Sequence, residues 1–273
     1  PDPGVALAWA APGGRAVGPS LGGPTTVRCQ TGVGSSTSMF RLDDDWVFSA
    51  SDLVTALRCE YQVLHKRAEK AGLIEGPDVE EDLVLKRAAD LGIAHERAVL
   101  DRLITEEGPA TPGQPGGVVS IAQPSTSSRA QLEDAHAQTQ AALQGGADVV
   151  YQAAFFHDGF HGLADFVIRA SDDDGYVWYE PADTKLARHA RVEALLQLAA
   201  YADQLVAMGF PAPREVHLWL GDGNVSSHRY ADLQPILADR SERLRDLLAR
   251  PVAVPVWGDP ELRACGSCDH CVA

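Results

Sequence analysis

The stretch that decides the fold is residues 147–187, ADVVYQAAFFHDGFHGLADFVIRASDDDGYVWYEPADTKLA. Its apolar residues run too closely for an exposed helix and are punctuated by HDG at 157–159 and SDDDG at 171–175, both turn signals that favour hairpins. The spacing predicts three strands in a meander. Side chains alternate along a strand, so Asp183 and Lys185 share a face and Thr184 points away from it. Folding the SDDDG turn brings Asp165, in the middle strand, beside Asp183 in the third. Asp172, Asp173 and Asp174 then form only the solvated turn.

Working outward, the periodicity becomes helical. Residues 49–72, SASDLVTALRCEYQVLHKRAEKAG, open with a Ser or Asp cap and carry apolar residues at helical spacing. A second helical stretch covers 82–108, with a possible bend at Gly92, and a third covers 128–146, closed by Gly145 and Gly146. Residues 108–127 are rich in Pro, Gly and Ser and read as a loop with a short strand at GVVSIA, 117–122. After the strands, a long helix is expected at about 189–209, including ALLQLAAYADQLVAMGF at 194–210 with Gln197, Asp203 and Gln204 at helical spacing. REVHLWLGDGNVSSHRY (214–230) predicts a strand pair about GDGN, and 232–250 a last helix. Helices, a meander, a helix, strands and a helix together predict an α/β fold: a mixed central sheet flanked by helices, with an N-terminal helical segment.

Residues 1–38 differ from the rest, being rich in Gly, Pro, Ser and Thr without an apolar period. Such a composition buries too little surface to offset chain ordering, so a disordered leader or start-site extension is expected there, with Cys29 an incidental free thiol. Residues 39–273 are expected to form one domain. Of 273 residues, 45% are hydrophobic, enough for an ordinary core. No apolar run reaches the roughly 18–20 residues of a membrane span, no signal peptide is visible, and a cytoplasmic setting is the default expectation. The net charge of −15 argues against broad electrostatic coating of nucleic acid but leaves room for local, cation-mediated binding.

Five cysteines are present: Cys29, Cys59, Cys265, Cys268 and Cys271. The last three form CGSCDHC, whose C-x2-C-x2-C spacing suits a metal centre better than a disulfide framework. With Cys59 as a remote fourth ligand the pattern is closer to a 4Fe–4S cluster than to the two separated pairs of a zinc knuckle. A zinc site of Cys59 with the same three, or with His270, stays open. Converging carboxylates at Asp165 and Asp183 are the oxygen ligands that Mg²⁺ or Mn²⁺ prefers, and Lys185 adds a positive charge at the same centre. An ordinary edge-strand ion pair between Asp183 and Lys185 is the alternative.

The ordered set of these residues resembles the RecB-like nuclease family of the PD-(D/E)XK superfamily, over roughly residues 45–271. GIAHE supplies His95, GLADF supplies Asp165, DTK supplies Asp183 and Lys185, and QLAAY supplies Gln197 and Tyr201, which share a helix face at i, i+4. Glu96 lies about 100° around the helix from His95 and is left out of the set, and Glu180, on the opposite strand face from Asp183, reads as structural. The resemblance implies a restriction-endonuclease-like core in which His95, Asp165 and Asp183 bind Mg²⁺ or Mn²⁺, Lys185 assists catalysis, and Gln197 and Tyr201 assist it further. The early and late cysteines are similar to those of CRISPR-associated RecB-type exonucleases, which implies a structural 4Fe–4S cluster clamping the first helix to the C-terminus. Relatives usually have a wider last cysteine gap, and this chain stops two residues after Cys271, which reads as truncation. The implied function is hydrolysis of DNA phosphodiester bonds on single strands or duplex ends, by an exonuclease of DNA repair, with a fused or separate nuclease or helicase partner and no membrane. A non-catalytic module that binds nucleic acid or recruits a partner, and a zinc-stabilised structural or regulatory protein, are the competing classes.

Overall fold

The computed structural model describes residues 38–76 and 82–272. The expected leader (1–38) and the thiol at Cys29 therefore fall, but for Ser38, outside the described residues. The remainder is α/β, with one mixed eight-stranded sheet flanked by helices. A hairpin of β1 (Phe40–Leu42) and β2 (Asp45–Ser49) leads into α1 (Ala50–Arg58) and α2 (Glu60–Lys70). Then come α3 (Leu83–Glu107), β3 (Val118–Ser120), α4 (Arg129–Gln144), and the meander β4 (Val149–His157), β5 (Phe160–Ser171) and β6 (Val177–Lys185). The chain closes with α5 (Val192–Ala207), β7 (Glu215–Leu220), β8 (Val225–Arg229), α6 (Tyr230–Ala249) and the short α7 (Asp269–Val272).

The three strands expected over 147–187 are all present, as are the β7–β8 pair and the short β3. The β4–β5 turn is a two-residue loop in which Asp158 and Gly159 have φ of 51° and 70°, the left-handed pair that matches the twist of a hairpin. β1 and β2 were not foreseen. Their hairpin joins the sheet through a parallel pairing of Phe48 and Ser49 with Phe160 and His161. The expected first helix also breaks in two, because Cys59 takes an extended conformation (φ −155°, ψ 103°) between α1 and α2. By contrast α3 runs unbroken through Gly92.

The faces of the sheet follow from alternation along β7. Leu218 packs with Leu198 and Ala202 of α5, whereas the next residue, Trp219, packs with Val99 and Leu103 of α3 beside Phe166 and Ala182. Thus α3 covers one face and α5 the other, with α1, α4 and α6 completing the larger core around Leu53, Leu143, Val150 and Leu244. The alternation slips in one place. Tyr151 packs on the α3 side but Ala153 in the other core, and Phe166 on the α3 side but Ala164 in the other core. Two residues apart should mean the same face, so both strands shift parity at the intervening residues, Gln152 and Asp165. Gln152 absorbs the shift with φ 54°, a left-handed conformation unusual away from glycine.

One end of the structure is held by an arginine that has no carboxylate partner among the described residues. Arg67 of α2 is 1% exposed and donates to the carbonyls of Leu247, Leu248, Arg250 and Pro251 at 2.8–3.3 Å. These are the orphan acceptors at the C-terminus of α6, where the helix dipole favours a cation. Glu60, the first residue of α2, receives both ends of the Arg243 guanidinium and the Arg263 amide. The segment after α6 is thereby strapped along α2.

Candidate functional site

Asp165 sits where β5 changes partners. The first residues of β5 pair with β2 as well as β4 and its last with β6, 162–164 pair with β4 alone, and the β4–β5 register skips Asp165 and Gln152. One step beyond the final pair, Phe166 and Ala182, the register places Asp165 opposite Asp183, as expected from the turn. Asp183 is buried and forms an ion pair with Lys185, whose side chain is 40% exposed, so the centre opens to solvent at the lysine.

Thr184 also touches Asp165. Its amide and hydroxyl lie 3.2 and 3.3 Å from Oδ2 of Asp165. The β5–β6 ladder has ended at this point while β6–β7 continues, and the Thr184 amide on the β5 side takes the Asp165 carboxylate as its acceptor.

The electrostatics are those of two carboxylates and one ammonium in a confined space. Burial, then the adjacent Asp183, push the Asp165 carboxyl well above its usual range; Glu96 adds to this and Lys185 opposes it. Burial works against the Lys185 charge, but Asp183, Asp165 and Glu96 outweigh it and hold the ammonium above its ordinary range. A buried carboxyl whose ionisation is opposed by a second carboxylate is short of positive charge, and a divalent cation would supply it.

Glu96 was left out of the sequence reading and the structure brings it in. It stands on α3 three residues before Val99 and seven before Leu103, the stripe that packs on the sheet, and its carboxylate receives the Gln152 amide. Gln152, turned by its left-handed backbone and also contacted by Gln123, was likewise not singled out. Neither the parity shift nor the left-handed residue has a local sequence signal; the stripe on α3 does. His95 is half-buried, and its Nε2 has no hydrogen-bond partner. Among the described residues, His95, Asp165 and Asp183 do not present ligand atoms all within 4.8 Å of one another.

Gln197 and Tyr201 project from α5. The Tyr201 ring stacks on Phe155 (centroids 5.9 Å apart) and covers Gly162, where an added Cβ would lie 2.6 Å from its Cε1. Burial, then Asp183 and Asp165, push its phenol upward, so it stays protonated as a donor near the carboxylates. Gln197 is half-buried one turn before it. Glu180 is held away from this centre by Trp178 (2.6 Å), His217 (2.8 Å) and the Glu215 amide (3.0 Å), a closed structural network.

No protein-family model and no curated protein matches the chain. A second centre lies where α1 ends and α2 begins.

Cys59, Cys265, Cys268 and Cys271 converge, with no disulfide among them and all four sulfurs within 4.8 Å of one another. The break at Cys59 makes this possible. The residue caps α2, its Sγ accepting from the Gln62 amide at 3.4 Å, and so turns inward from a helix that would otherwise carry it past. Burial pushes the Cys59 thiol up. Burial also takes Cys268 up to about 12, while amide and hydroxyl donors from Ser267 and the Cys268 amide bring Cys265 down to about 6. A soft cation would have to displace protons from the raised pair, which makes binding pH-dependent. The donor set suits zinc or an iron–sulfur cluster. The measured separations (3.4 Å for Cys268–Cys271, 3.5 Å for Cys59–Cys271, 3.9 Å for Cys59–Cys268, 4.0 Å for Cys265–Cys271) are near the edge of about 3.8 Å that a tetrahedron with Zn–S bonds of about 2.3 Å requires. A four-iron cluster needs its thiolates farther apart than this.

Proposed function

We propose that the chain is a RecB-like nuclease with a restriction-endonuclease-like core, hydrolysing DNA phosphodiester bonds at the Asp165–Asp183–Lys185 centre. The observation that carries the reading is Asp165 opposite Asp183, with Lys185 two residues on, at the fork of the sheet. Asp165 and Asp183 would hold Mg²⁺ or Mn²⁺, which when bound activates water and offsets phosphate charge. Lys185, kept protonated by its three carboxylate neighbours, would orient the attacking water and stabilise the charge developing on the phosphate. Tyr201, protonated and close to both aspartates, and Gln197 would steady a phosphate oxygen or water by hydrogen bonding. Glu96 reaches the same centre from α3, through Gln152 and by its charge, and would assist the cation site beside His95.

The cysteine centre would be structural. Cys59 precedes α2 and the other three lie in the final segment, so a bound group closes a loop spanning most of the domain. The C-x2-C-x2-C run supports a 4Fe–4S cluster; the sulfur separations support a single zinc ion as the second reading. Anaerobic purification with iron and zinc analysis separates them. The nuclease reading is tested with end-labelled single- and double-stranded DNA and RNA, with and without Mn²⁺ or Mg²⁺. Divalent-dependent cleavage that Asp183→Ala abolishes is expected. Binding without cleavage would favour a non-catalytic module for nucleic acid.

A further inference from the structure

A third cluster lies outside both centres. His65 and Glu69 are four apart on α2 and so share one face, and α7 brings His270 against them. His65 Nδ1 is 2.8 Å and His270 Nε2 is 3.1 Å from the same Glu69 oxygen, and the imidazole rings meet edge-on with centroids 5.0 Å apart. One ligand atom from each residue falls within 4.8 Å of the other two. The three side chains are 9–21% exposed. His270 Nε2 is buried, and among the described residues the Glu69 ion pair is its contact, with no well-formed hydrogen bond. Buried polar atoms without partners are uncommon in native proteins, and an absent ion is one of the recognised reasons.

We propose that His65, Glu69 and His270 form a second metal site, binding one Zn²⁺-like divalent ion through two imidazoles and a carboxylate, with solvent completing the coordination. The donor set is of the class that zinc and other borderline ions take up, and three protein ligands leave a position open. Gln62, one turn before His65, holds the His270 ring from its other side, its Nε2 lying 3.4 Å from His270 Nδ1. The placement gives the ion a task. Cys59 caps the helix that carries His65 and Glu69, and His270 lies between Cys268 and Cys271, so the same two elements are joined twice. The second joint uses ligands that do not oxidise as thiolates do, and it would hold α7 against α2 when the cysteine centre is lost.

The test uses the full chain purified anaerobically, with its cysteine centre assayed for iron and zinc. Co²⁺ is then titrated in, because thiolate-bound cobalt shows strong charge-transfer absorption and cobalt on imidazole and carboxylate does not. The wild type is expected to take up one cobalt ion per chain at this site without the thiolate signature, in addition to any held by the Asp165–Asp183 centre, whose share is fixed by the same titration of Asp183→Ala. His65→Ala and Glu69→Gln should each take up none there, while the cysteine centre stays at wild-type content. Glu69→Gln keeps the shape and a hydrogen-bonding oxygen, so it preserves the fold even if His65→Ala does not. No uptake by the wild type, uptake only with the thiolate signature, or equal uptake by Glu69→Gln would each overturn the proposal.

Discussion

Arg67 is the largest fully buried side chain, and its replacement by Met isolates what its charge contributes. Methionine keeps most of the apolar stem and removes the guanidinium. Four carbonyls lose this donor, three of them within 3.1 Å and one, Leu247, at 3.3 Å, which keeps the Arg250 amide. A hydrogen bond to a charged group contributes roughly 1.5–3 kcal/mol, and a cation at a helix C-terminus about 0.3–2 kcal/mol. These are not additive. Against them stands the cost of burying the guanidinium, which is large enough to pull the Arg67 pKa below its usual value. Three good bonds less that relief leave about 3–4 kcal/mol, or roughly 6–16 °C in Tm at about 2–4 °C per kcal/mol for a domain of this size. Arg58→Ala is the control. Its ion pair with Glu193 joins α1 to α5, but the arginine side chain is 59% exposed, so its loss should cost under about 1 kcal/mol. Urea unfolding of both variants, followed by circular dichroism, measures the difference. If Arg67→Met unfolded within about 0.5 kcal/mol of wild type, or no earlier than Arg58→Ala, the assignment of Arg67 as the cap of α6 would be wrong.

The cation-starved pair makes a pH-dependent prediction. The Asp165 pKa is raised in the folded chain, so its favourable protonation stabilises the fold below the unfolded pKa of about 3.9 and is lost as pH rises through the folded value. Asp165→Asn cannot ionise and keeps an acceptor for Thr184. In chelator it should therefore melt above wild type by a margin that grows with pH from about 4 upward, and a margin that shrank instead would contradict the electrostatic account. Mn²⁺ should stabilise the wild type, by about 2.7 kcal/mol at a hundred times Kd, and leave Asp165→Asn nearly unchanged. Cys59→Ala should lose the metal or cluster found in the cysteine centre and lower Tm; full metal content in that variant would remove Cys59 from the ligand set. Gln197→Ala should slow cleavage without abolishing it, and unchanged rates on every substrate would return Gln197 to packing.

The meander was legible because its signals are local: Asp158–Gly159 can adopt the left-handed pair that a two-residue turn needs, and strand alternation puts Asp183 and Lys185 on one face. Asp165 opposite Asp183 followed from the turn between them. The convergence of the cysteines was also legible, since C-x2-C-x2-C leaves few other readings. What was not legible depends on long-range packing. Cys59 breaks its helix because the segment after α6, through the Arg263 carbonyl bonding to the Glu60 amide, competes for the backbone there. The parity shift at Gln152 and Asp165 arises where β2 and β6 share one edge of β5, a pairing made across more than a hundred residues. Glu96 was set aside on its angle from His95, yet the orientation of α3 is decided by Val99 and Leu103 against the sheet. Thr184 reaches Asp165 because the β5–β6 ladder stops at Phe166 and Ala182, an end that no local pattern marks.

The central claim is that Asp165, Asp183 and Lys185 form a divalent-dependent phosphodiesterase centre, and the most direct measurement is single-turnover cleavage of end-labelled DNA by wild type and Asp183→Ala. Both proteins are taken with equal cysteine-centre content and identical circular dichroism. Wild type should cleave with Mn²⁺ or Mg²⁺ and stop in chelator, and Asp183→Ala should be slower by about 10²–10³-fold or more, the scale of losing a group that stabilises the transition state. A fully active Asp183→Ala protein, or a wild type inert on every substrate with either ion, would contradict the account.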